Sequence, residues 1–156
     1  MTVGVTSPIR PDAWDFPLLL HVFGAMLLVG TLVLTASALI LAWRNGDGAL
    51  ARLGYRSLLL GVVPFWIVMR VGAEWIASKE DLTGSNAPSW VDIGFNTADG
   101  GFLLIVISLI LAGVAVRRAR RAEGSGAGFR RASTVLVSIL LIAYLVTVWA
   151  MTTKPV

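Results

Sequence analysis

The chain has 156 residues, of which 56% are hydrophobic, and a mean hydropathy of +0.80, a balance too apolar for an ordinary soluble domain of that size. Its net charge of +4 and pI near 10.3 come from arginines gathered between apolar runs, which is the pattern of membrane loops and argues against a nucleic-acid partner. Cysteine is absent, which excludes disulfides, thiolate metal sites, iron–sulfur clusters and covalent haem attachment in this sequence.

A membrane span needs about 20 apolar residues to cross about 30 Å of hydrocarbon. The first predicted span, 16–43, contains one ionisable side chain, His21. Its apolar run is much longer than the ~7–15 residues of a secretory signal core, so it is expected to remain as a helix. His21, Gly24, Leu28, Thr31, Thr35 and Ala38 recur at steps of three and four, forming one stripe of mostly small residues suited to close helix packing.

The second span, 58–78, contains Pro64, whose missing N–H and ring clash with the Leu60 carbonyl predict a kink near Leu60 and Gly61. It also carries Arg70 and Glu74, one turn apart. After turn residues between Ser78 and Ser89, the third span, 90–117, has an apolar core from Gly101 to Val116 and a polar outer face of Asp92, Asn96 and Asp99. A short flexible connector, Glu123 to Gly128, leads to the fourth span, 132–153, which is free of charge and places Tyr144, Thr147 and Met151 on one face.

Four spans joined by short connections predict an all-α fold, a four-transmembrane-helix antiparallel bundle forming a single integral membrane domain over 1–156. Nine positive residues lie in the connections after spans one and three: Arg44, Arg52, Arg56, Arg117, Arg118, Arg120, Arg121, Arg130 and Arg131. The positive-inside rule places that end in the cytoplasm, with both termini outside. Trp14, Trp75, Trp90 and Trp149 then mark the outer headgroup region and Trp43 the inner one. An arginine-rich, Ala/Gly/Val-rich composition suits a bacterial plasma membrane protein.

Counted at 1.5 Å per residue from Phe16, Ser78 and Trp90, His21 lies roughly 7 Å, Arg70 roughly 12 Å, Glu74 about 6 Å and Asp99 about 13 Å below the outer boundary. Ionisable groups at such depths are costly and are the first place to seek a functional site. The matching depths of Arg70 and Asp99 predict an interhelical ion pair, with His21 near Glu74 or Asn96. One reading of His21, Arg70, Glu74, Asp92, Asn96 and Asp99 is a packing network that fixes helix register. The other is a polar pocket open to the outside. In that pocket His21, with Met69 or Met151, would ligate haem b or a metal ion, or an oligomer would handle protons or cations. One histidine cannot supply bis-histidine haem ligation within one chain.

Leu20-His21-Val22-Phe23-Gly24-Ala25-Met26 followed by Leu28-Val29-Gly30 resembles the first helix of predicted bacterial integral membrane proteins related to the CopD-like copper-resistance domain. Arg70 through Trp75 and Trp90-Val91-Asp92-Ile93-Gly94-Phe95 are similar to stretches of uncharacterised actinobacterial four-helix membrane proteins. The resemblance implies a multi-span bundle, with His21 as the matching residue. Further histidines or methionine clusters, expected of a copper-handling protein, are missing. No nucleophile set or phosphate loop is visible, so the expected role is non-enzymatic. It is that of a structural or accessory component of a membrane complex, in contact with lipid and with a partner or further copies of itself.

Overall fold

The computed structural model describes residues 15–79, 89–121 and 126–153, all but a few of them helical, with no strand among them. The expectations for Trp14, for the termini, for most of the turn segment between Ser78 and Ser89, and for the first half of the Glu123–Gly128 connector fall outside the described residues, as do the side chains of Trp90 and Met151. Five α-helices, α1 (Asp15–Asn45), α2 (Gly48–Ser57), α3 (Val63–Lys79), α4 (Ser89–Arg121) and α5 (Ala127–Thr152), build four segments long and apolar enough to cross a membrane. The antiparallel four-span bundle expected from the hydropathy pattern is the architecture observed.

The second segment begins earlier than its apolar run. Gly46, at φ 69°, reverses the chain after α1. Asp47 then caps α2, its carboxylate accepting from the Ala49 and Leu50 amides at 2.6 and 3.3 Å. Residues 48–57, expected as loop because Arg52 and Arg56 interrupt the hydropathy, are therefore helical. Ala51, Gly54 and Ser57 are buried in the bundle while the side chains of both arginines stay exposed. Between α2 and α3 the helix passes through a π-helical turn, Leu58–Val62, in which the Val63 N–H reaches back to the Leu58 carbonyl. This turn directly precedes Pro64, where the regular ladder has to lose a donor.

The small-residue stripe on α1 is the face packed on α3. Gly24 and Gly72 permit the close approach: a Cβ on Gly24 would stand 2.6 Å from the Met69 backbone nitrogen, and one on Gly72 would stand 2.5 Å from that of His21. Below this seam Leu28, Leu32, Leu39, Leu58, Val62, Ile105, Val137 and Leu140 form a fully buried core. Most polar groups within it are paired, the buried Ser108 hydroxyl being without a partner among the described residues. The Thr35 hydroxyl donates to the Thr31 carbonyl at 2.7 Å and shares a 2.8 Å hydrogen bond with Ser57, while Ser133 donates to the Ser108 carbonyl at 3.1 Å. The helices are closest in the pairs α1–α3 and α4–α5, and the α3 and α4 backbones approach one another over little of their length.

Candidate functional site: the Arg70 layer

Long side chains fill the wider seam between α3 and α4. Arg70 reaches from α3 to Asp99 on α4, its Nε donating to Oδ1 at 3.1 Å and its Nη2 to Oδ2 at 3.5 Å. The fork-on-carboxylate arrangement fixes orientation as well as charge. Its Nη1 lies 2.7 Å from Glu74 Oε1, one turn along α3, in an ion pair whose N–H points off the hydrogen-bond line. The guanidinium carbon stands 4.4 Å from the centroid of the Phe95 ring. One turn below, the Trp66 indole donates to the Ala98 carbonyl at 3.0 Å and stacks on Phe102 with ring centroids 4.3 Å apart.

Burial across this cluster is uneven. The Arg70 side chain is 18% exposed, whereas Glu74 and Asp99 are 53% and 61% exposed. The cation is therefore enclosed and its partners reach the surface. Asp92 and Asn96 continue the same exposed face of α4 without a hydrogen bond or ion pair among the described residues.

His21 makes no hydrogen bond or ion pair with Glu74 or Asn96 among the described residues. Its Nδ1 lies 3.0 Å from the Met69 carbonyl, and because a carbonyl only accepts, Nδ1 carries the proton and Nε2 is the free ring nitrogen of the neutral form. The reason is the Gly24 and Gly72 approach, which brings the α1 and α3 backbones together at this level and leaves the imidazole against α3. His21, Met69, Arg70, Phe95, Tyr144 and Thr147 line a cavity of about 60 Å³ in the bundle. The Tyr144 hydroxyl is buried and has no hydrogen-bond partner among the described residues.

At ~15 Å³ per water the enclosed volume holds about four waters, below the ~300–1,000 Å³ of typical sites for organic ligands. Met69 contributes its carbonyl to His21, and its thioether is packed in the core. Among the described residues no group of three His, Cys, Asp or Glu side chains is placed to hold a metal ion.

The helices also extend further than hydropathy implied. Arg70 stands about 27 Å along its helix from Arg52, and Asp99 the same distance from Arg117. That separation is close to the ~30 Å thickness of a hydrocarbon layer.

No family model, curated protein or solved structure matches this chain. Its chemistry is read from its own residues.

The sequence pattern did not single out Trp66 or the contact of Phe95 with Arg70. Phe95 lies in the polar first third of α4 and Trp66 two residues after Pro64, where nothing in the spacing marks a cross-helix contact. Tyr144 was visible on its helix face, but its missing partner emerges only from packing.

Proposed function

We propose that the protein is a structural or accessory component of a bacterial cytoplasmic membrane complex, with both termini outside and the Arg70 layer toward the extracytoplasmic side. The observation that carries this reading is the closure of Arg70 on Asp99, Glu74 and Phe95, which uses the charged groups as a clamp between α3 and α4. The exposed Asp92, Asn96 and Asp99 face gives a partner, or further copies of this chain, a polar surface to recognise at the membrane edge. Cross-linking from a cysteine placed at the exposed Ile93 in native membranes tests it. Specific adducts lost in Asp92→Ala/Asn96→Ala support the reading, and monomer alone contradicts it.

A second reading rests on the free His21 Nε2 and the unpartnered Tyr144 hydroxyl beside one small cavity. In it the protein binds a small ion or relays protons through ordered water, as an oligomer. The CopD-like resemblance adds copper as an occupant, for which His21 supplies a single imidazole. A purified sample with no Soret band and no bound metal, and with unchanged stability in His21→Gln, removes this reading.

A further inference from the structure

A second cavity lies at the opposite end of the bundle. It has about 190 Å³, roughly three times the volume of the His21 cavity, and is bounded by α2, α4 and α5. Arg52, Arg120 and Arg130 line it, above an apolar floor that includes Ala51, Ala115 and Val116. Each helix supplies one arginine, so three charges distant in sequence border one space, Arg52 and Arg120 exposed and Arg130 half-buried. The Arg52 guanidinium folds back over Gly48, the first residue of α2, with Nη1 3.6 Å from where a Cβ would stand.

Two neighbouring arginines rest on aromatic rings. Arg118 lies 4.7 Å from the Phe129 ring centroid and Arg131 5.3 Å from that of Trp43. The cavity arginines make no ion pair among the described residues, and the Nε of Arg130 is buried without a hydrogen-bond partner. Asp47 is the one carboxylate described at this end, and it is engaged with the Ala49 and Leu50 amides. A buried guanidinium N–H with no acceptor is costly, and an external anion is the missing complement.

We propose that this cavity binds the phosphate of an anionic headgroup, the guanidinium forks taking the phosphate oxygens while the alanine and valine floor meets the apolar part of the ligand. The shared chemistry is phosphate; its source is a phospholipid of the adjoining leaflet or a free phosphate ion. This inference is independent of the role assigned to the Arg70 layer.

The test uses the full chain in nanodiscs of phosphatidylcholine with graded phosphatidylglycerol, reading the retained lipid by native mass spectrometry. The wild type is expected to retain phosphatidylglycerol in preference to phosphatidylcholine, and Arg52→Gln/Arg120→Gln/Arg130→Gln to lose at least about tenfold of that preference. Arg44→Gln/Arg117→Gln/Arg121→Gln removes the same charge outside the cavity and is expected to lose less than about twofold. Arg130→Lys keeps both charge and fold but lacks the planar fork, so a partial loss is expected even where the triple variant does not fold. In a second arm, inorganic phosphate is titrated in detergent without phosphatidylglycerol. Stabilisation of wild type but not Arg130→Lys assigns the site to a soluble anion, and retention of phosphatidylglycerol alone assigns it to lipid. Equal losses in the two triple variants, or no preference in either arm, overturn the proposal.

Discussion

The two ends of the bundle handle arginine in opposite ways. In the Arg70 layer one cation is enclosed by two carboxylates and an aromatic face supplied by the protein. At the other end nine arginines share one described carboxylate, two of them rest on aromatic rings, and three border one cavity. The contrast teaches how to weigh charge near a membrane edge. A charge whose complement is internal describes architecture, and a charge whose complement is absent points outward to a ligand.

The sharpest way to break that comparison is to strip Arg70 of its partners. Because the arginine is enclosed and its carboxylates are exposed, Glu74→Gln/Asp99→Asn leaves a semi-buried cation unpaired and is expected to cost about 3 kcal/mol in unfolding free energy. Arg70→Leu leaves only exposed carboxylates and is expected to cost about 1 kcal/mol. Adding Arg70→Leu to the stripped variant should recover most of the loss, all read by denaturant unfolding in micelles.

A smaller effect is expected at the seam that sets the level of His21. Gly72→Ala drives a methyl into the α1 backbone and should destabilise by about 1–3 kcal/mol, whereas Gly100→Ala, with open space around it, should be neutral or stabilising by up to about 1 kcal/mol. Next, Trp66→Phe keeps the stack on Phe102 but loses the hydrogen bond to Ala98, an expected loss of about 1 kcal/mol in the same assay. The smallest change is expected from Tyr144→Phe, which deletes a hydroxyl without a partner and should move stability by no more than about 0.5 kcal/mol. A larger loss there would show that the hydroxyl makes an interaction, with the Trp66 indole or with a group bound in the His21 cavity, and Trp66→Phe in the same background separates the two.

Much of this was legible in the sequence. Apolar run length and arginine placement gave four spans, and helical spacing identified the α1 packing face that Gly24 and Gly72 turn into a tight seam. Matched depth paired Arg70 with Asp99, because both stand the same number of turns from the arginine end. Other features depend on information that periodicity lacks. Helix α2 hid behind polar residues because its first turn is held by the Asp47 cap rather than by hydrophobicity. The partner of His21 is a backbone carbonyl, which no side-chain pattern announces.

The central claim is that Arg70 and Asp99 act as one unit across α3 and α4. A double-mutant cycle of Arg70→Leu and Asp99→Asn, measured by reversible unfolding in micelles, tests it most directly. The account predicts a coupling free energy of at least about 1 kcal/mol, the double variant being more stable than the sum of the single losses implies. Additivity within about 0.3 kcal/mol would show that the two residues lie side by side without holding the helices together, and would contradict it.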